Sequence, residues 1–164
     1  MAMPIITLRT EIKAPIDVCF DLSRSIDVHV YIAQRSGEQA VAGVTSGLIG
    51  PNERVTWRAK HLWWQEMTTE IRAFDRPNHF RDSVVAGYFE RFDHDHFFER
   101  VNNTTLMTDH LDFRSPLGPI GTAVDALFVR WYLMRWLEQR NRLIKEIAED
   151  PRRRDHFLRR YPSN

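Results

Sequence analysis

Residues 91–114 read RFDHDHFFERVNNTTLMTDHLDFR. Asn102-Asn103 marks a two-residue hairpin turn, because asparagine tolerates the left-handed backbone that such turns need. On either side the pattern has period two: Phe92, His94, His96 and Phe98 share one face of the first strand, and Met107, Asp109, Leu111 and Phe113 one face of the second. Closing the turn at 102–103 sets His96 opposite Asp109 and Phe98 opposite Met107. Each face is apolar with a polar insert. An unpartnered buried polar group costs about 2–7 kcal/mol, and a charge more. A chain that repeats such inserts either pairs them or lines a cavity with them.

The same reading extends outward in both directions. Phe80-Asp82-Val84-Ala86 is another period-two face, and a three-residue loop at Gly87–Phe89 sets Asp82 opposite His94 and Val84 opposite Phe92. Val55-Trp57-Ala59-His61 is a further strand face, and Asp75-Arg76-Pro77-Asn78 a turn. A one-residue slip would turn every apolar face to solvent, so the register is a sharp expectation. Upstream, 5–13 alternates as a first strand, Pro15 and Ser25 suit the starts of two short helices, and 39–42 forms a weak strand among glycine-rich turns. Downstream, Ile120, Val124, Leu127, Trp131, Met134, Leu137, Ile144 and Ile147 recur at three to four residues, predicting one helix over 120–149, about 45 Å long. The expected class is α+β: strand, two helices, about six more antiparallel strands, then a long helix gripped by the curved sheet.

Hydrophobic content of 43% and charged content of 27% are those of a soluble globular chain. A net charge of +1 gives no reason to expect nucleic acid as a partner. Residues 151–164 carry five arginines against Asp155, so +1 less +4 leaves −3 for 1–150. The chain is therefore divided into one domain over 1–150 and a basic, solvated and partly ordered tail over 151–164. Cys19 is the single cysteine, which rules out an internal disulfide and fits a reducing, cytoplasmic setting; it is read as a buried small hydrophobe. No apolar run approaches the roughly 18 residues of a membrane span.

The segments Gly43-Val44-Thr45-Ser46-Gly47-Leu48-Ile49-Gly50, Val55-Thr56-Trp57-Arg58-Ala59-Lys60-His61, Phe80-Arg81-Asp82, His94-Asp95-His96-Phe97-Phe98, Leu106-Met107-Thr108-Asp109 and Ser115-Pro116-Leu117-Gly118 together resemble the START/SRPBCC superfamily. More narrowly, the chain resembles its bacterial ligand-binding, polyketide cyclase/dehydrase-like branch, over roughly 5–149. The resemblance implies a helix-grip fold with a cavity between sheet and C-terminal helix, no cofactor and no metal. One departure stands out: Leu62-Trp63-Trp64 follows His61 where a small turn is expected, which suits a cavity mouth or a protein contact.

The candidate ligand-binding residues are Trp57, His61, Phe80, Asp82, Phe92, His94, His96, Met107, Asp109 and Trp131. His29 and His79 are placed at the surface or rim. The expected function is binding of a hydrophobic or amphipathic small molecule. A rival reading is a cyclase or dehydratase using His96 with Asp109, or His94 with Asp82, as acid–base pairs. A third is a quinone or lipid carrier whose Trp63, Trp64 and arginine tail face a membrane, a contact not favoured by the charge balance. The bland alternative is that the two His–Asp pairs only satisfy one another. His-x-His with flanking carboxylates also has the donors of a metal site, but with each imidazole facing a carboxylate no metal is expected. No nucleophile elbow, phosphate loop or dinucleotide fingerprint is present. Oligomeric state is not read from the sequence.

Overall fold

A computed structural model describes residues 5–35, 37–60, 64–115 and 128–159. His61 and Trp63, and the first part of the helix expected over 120–149, lie outside the described residues. The elements are β1 (Ile5–Ile12), α1 (Ile16–Ser23), α2 (Ile26–Ile32), a 3-10 turn (Ala33–Arg35), β2 (Gln39–Gly43), β3 (Arg54–Lys60), β4 (Trp64–Asp75), β5 (His79–Ala86), β6 (Arg91–Val101), β7 (Thr104–Arg114), α3 (Arg130–Glu149) and α4 (Pro151–Leu158). The strands form one antiparallel sheet in the order β1-β7-β6-β5-β4-β3-β2. The long helix α3 lies along β1 and against α1. This is the helix-grip arrangement, α+β, as the sequence leads one to expect.

Local chemistry explains the boundaries. Pro15 caps α1 at φ −59°, where its missing N–H costs nothing. The Ser25 side chain accepts a hydrogen bond from the Val28 N–H at 3.3 Å and starts α2, with Asp27 in the first turn. Asn102 takes the left-handed conformation (φ 54°) that closes the β6–β7 hairpin. Gly43, at φ +73°, ends β2 where any Cβ would run into the Arg54 carbonyl.

The register is the expected one. His96 faces Asp109, Phe98 faces Met107 and Asp82 faces His94. The inward faces of β5–β7 therefore build the core. Phe20 of α1 is fully buried, with edge-to-face contacts to Phe74, Phe80 and Phe98 at 5.3–5.4 Å. A buried phenylalanine of this kind stabilises by about 1.5–3 kcal/mol, and each aromatic pair adds about 0.5–1.5. The outward faces are satisfied by ion pairs, as between Arg81 and Asp95 at 2.7 Å.

The expected basic tail is ordered over 150–159, and 160–164 lie outside the described residues. Asp150 caps α4, accepting hydrogen bonds from the Arg152 and Arg153 N–H groups at 2.9 and 3.4 Å, with Pro151 in the first turn. Phe157 and Leu158 pack on the main core cluster, and the Phe157 ring meets Tyr31 at 5.6 Å. The arginine count obscured two apolar anchors three to six residues after Arg152–Arg154. Among the described residues, no helix is long and apolar enough to cross a membrane.

Candidate functional site

The interface between sheet and helix α3 has two apolar clusters separated by a polar belt. On one side lie Ile6, Phe92, Leu111, Phe113, Leu133 and Leu137; on the other Phe20, Phe98, Met107, Ile144 and Ile147. Between them, each element contributes polar side chains at its middle: His94 and His96 from β6, Asp109 from β7, and Arg140 with Asn141 from α3. All five are buried, none above 5% exposed.

Asp109 is the hub. Its Oδ1 lies 2.9 Å from His94 Nε2, 2.8 Å from His96 Nδ1 and 3.4 Å from Arg140 Nη1, and its Oδ2 accepts from Asn141 Nδ2 at 2.6 Å. The contact at His96 Nδ1 lacks the alignment of a hydrogen bond. Asp82 Oδ2 lies 3.0 Å from His96 Nε2 and 4.0 Å from His94 Nδ1. The hydrogen-bonded pairs are thus diagonal, His96 with Asp82 and His94 with Asp109, although the backbone register pairs them the other way.

Burial works to raise both carboxyls, but it is outweighed. At Asp109 the His94 hydrogen bond, the adjacent His96 imidazole and the Arg140 charge hold the group well below the usual carboxylate range. At Asp82 the His96 hydrogen bond and the charges of His94, His96 and Arg140 do the same more mildly. Burial, helped by neighbouring His96, pushes His94 below an ordinary imidazole, against the pull of Asp109 and Asp82. Burial also lowers Arg140, which nevertheless stays a cation because guanidinium starts so high.

The belt forms one wall of a cavity of about 130 Å³ between the sheet and α3. That is room for about four waters at the roughly 30 Å³ each occupies in the liquid. Of the residues expected at the site, Trp57, Phe80, Phe92, Asp82, His94 and His96 line this cavity. Three do not. Met107 is fully buried in the larger cluster, and Asp109 sits behind the two imidazoles with no exposed surface. Trp131 is 64% exposed on the outer side of α3. It lies two residues before inward-facing Leu133, roughly 200° around a helix of 3.6 residues per turn.

Sequence reasoning missed several walls. Arg140 and Trp136 reach the cavity from α3, and Tyr88 and Phe89 from the β5–β6 turn. His29 belongs to it as well, stacked on Trp57 at 4.0 Å and 3.0 Å from Glu38 Oε1. His79 is on the opposite face of the sheet, bound to Asp95 at 2.7 Å. A signal for Arg140 and Asn141 was present: they stand three and four residues after Leu137 and four and three before Ile144, on the buried stripe.

Sheet and gripped helix together define the helix-grip fold class. Solved structures with this fold include TTHA0849 from Thermus thermophilus, with 18% identity, a TM-score of 0.69, and 87% of this chain and 95% of that one covered. Ginseng major latex-like protein 151 from Panax ginseng gives 17% identity and 0.63 over 89% and 97%. A START superfamily protein from Mycobacterium smegmatis gives 14% and 0.59 over 88% and 97%. At these identities the likeness is one of fold. No protein-family model and no curated protein matches the sequence.

Proposed function

We propose that this chain binds a small hydrophobic or amphipathic molecule in the cavity between its sheet and α3. The observation that carries the reading is the cavity's make-up: a partly open, largely apolar cleft with the buried Asp82–His94–His96 cluster in its wall and a second polar pair, His29 with Glu38, beside Trp57. Trp57, Phe80, Phe92, Leu133 and Trp136 supply apolar surface, and Asp82, His94 and His96 supply directed polar contacts. Apolar walls give affinity and a few placed polar groups give orientation. Asp82 is the accessible member, with 22% of its side chain exposed into this space. A ligand hydroxyl, amine or carbonyl would meet that wall.

Native mass spectrometry of freshly purified protein, beside its denatured spectrum, tests the reading. A non-covalent organic adduct that vanishes in Ala59→Phe, which fills the cavity, is the expected result. An empty wild-type protein that also fails to bind the apolar dye anilinonaphthalene sulfonate would overturn it.

A second reading, acid–base catalysis of the cyclase or dehydratase kind, is favoured by the His96–Asp82 hydrogen bond at the cavity wall. The acid–base pair is then His96 with Asp82, because Asp109 has no surface to offer a substrate. Loss of turnover but not of ligand binding in His96→Ala would separate catalysis from carriage. The membrane-carrier reading rests on Trp63 and the Trp64 side chain, both outside what is described, and on an arginine tail of which Pro151–Leu158 form a helix.

A further inference from the structure

We propose that Asp82, His94 and His96 form a binding site for a divalent first-row transition-metal ion in the wall of the cavity. One donor atom from each lies within 4.8 Å of the other two, the one such group among the described residues. Two imidazoles and a carboxylate on one side of an ion, with the remaining positions open, is a donor set that suits zinc, iron(II) or cobalt(II).

Three observations point the same way. The first is the arrangement behind the donors. A metal-ligating histidine almost always passes its other ring N–H to a carboxylate or carbonyl, which fixes the tautomer. Here His94 Nε2 is hydrogen-bonded to Asp109 Oδ1 at 2.9 Å, and His96 Nδ1 lies 2.8 Å from the same oxygen without the alignment of a hydrogen bond. Asn141 and Arg140 in turn hold Asp109. This leaves His94 Nδ1 and His96 Nε2 directed toward Asp82 Oδ2, at 4.0 and 3.0 Å.

The second is an inventory of protons. A neutral imidazole has one N–H. His96 has a carboxylate oxygen near each ring nitrogen, 3.0 Å from Nε2 and 2.8 Å from Nδ1, so a neutral ring leaves one nitrogen lone pair facing an oxygen, a contact that a metal ion between Nε2 and Oδ2 would relieve as a second ring proton would. The third is charge. Two carboxylates and one guanidinium leave the wall one charge negative when both imidazoles are neutral. Metal–ligand bonds of 2.0–2.2 Å set neighbouring donors about 3.0–3.5 Å apart. The His96–Asp82 edge already fits, the His94–Asp82 edge closes by about 0.5 Å on binding, and the His94–His96 edge, within 4.8 Å, closes by up to about 1.3 Å.

An ion here would present its open positions to the cavity, where water or a ligand oxygen completes the shell. The site rests on side-chain geometry alone and not on the identity of an organic ligand.

The test is Co²⁺ titration of the chelator-stripped full chain, with no organic ligand present. It is read by visible d–d absorption and by metal retained after gel filtration. The expected result is one Co²⁺ per chain, displaced by Zn²⁺. Affinity should fall by about ten- to a hundredfold or more in Asp82→Asn, and by about ten- to a hundredfold in Asp109→Asn, which touches no metal. His79→Ala, on the outer face of the same sheet, should bind as the wild type does. Substoichiometric uptake, or uptake that survives Asp82→Asn in a protein shown by circular dichroism to be folded, would overturn the proposal. Such a failure leaves the cavity-binding reading to its own mass-spectrometric test.

Discussion

Asp109→Asn removes one negative charge from the centre of the belt at almost no change in volume, and the structure sets what that should cost. Arg140, 5% exposed, loses the carboxylate nearest its guanidinium, keeping only Asn141 Oδ1 at 2.9 Å, the Ser23 carbonyl at 3.3 Å and the more distant charge of Asp82. The new amide nitrogen also meets donors where the carboxylate offered acceptors. Breaking a buried ion pair from one side costs about 3–5 kcal/mol. Because Arg140 keeps two acceptors, we expect the lower end, about 3 kcal/mol. In a domain of this size that is a fall in Tm of about 6–12 °C. With a urea m-value of about 2 kcal/mol/M, the midpoint should drop by about 1.5 M. The decisive comparison is the double variant. Arg140→Met in the Asp109→Asn background removes the stranded cation and should recover at least 1 kcal/mol. A single variant that loses under about 1 kcal/mol, or a double variant whose losses simply add, would refute the view that Asp109 and Arg140 compensate one another.

Three further outcomes can be checked. Gly43→Ala forces a Cβ into the Arg54 carbonyl at φ +73°, so it should destabilise by about 2 kcal/mol or more in urea unfolding, while Gly37→Ala, with open space around it, should show only the backbone penalty of its positive φ. Burial pushes the Cys19 thiol up to about 11, so the native protein should resist iodoacetamide at pH 8.5 and react once unfolded. A folded value raised above the unfolded one gives stability that is complete below about pH 8.5 and is lost as pH climbs toward 11; Cys19→Ala should flatten that alkaline slope. Trp136→Ala should weaken binding of an apolar dye about tenfold whereas Trp131→Ala should not, since Trp136 lines the cavity and Trp131 faces out; equal effects would contradict the assigned helix face.

What the sequence disclosed is what period and turn chemistry control. The Asn102-Asn103 turn fixed the β6–β7 pairing, and through it the nearness of His96 to Asp109. The apolar faces fixed β5 against β6. Side-chain direction was not readable in the same way. Whether an imidazole reaches the residue opposite or the diagonal one depends on sheet twist and on χ angles, and here the diagonal contacts win at 2.9 and 3.0 Å. The α3 stripe was misaligned at its start because Trp131, a large apolar residue, was taken as core. Shifting the stripe to Leu133 brings Arg140 and Asn141 onto it. The reflex that places arginine at the surface then hid the two residues that hold the hub. In the basic tail, the weight given to charge likewise left the packing of Phe157 and Leu158 unread.

The belt also decides between a structural and a functional account of these residues. Its position interrupts what would otherwise be one continuous apolar interface from Ile6 and Phe113 to Ile147. Buried polar groups that satisfy one another rarely stabilise more than apolar side chains of equal volume would, and replacing a whole buried network is often neutral or stabilising by about 1–4 kcal/mol. The prediction is therefore a reversal of sign. Single substitutions within the belt should destabilise. The combined variant His94→Leu, His96→Phe, Asp109→Leu, Arg140→Met and Asn141→Leu should unfold at or above the wild-type urea midpoint, with an unchanged m-value. It should also have lost the cavity's ligand. If the combined variant is instead several kcal/mol less stable, the belt is a lock on sheet register and needs no ligand to account for it. If it is as stable but empty, the polar residues are retained at the centre of the core for what they hold in the cavity.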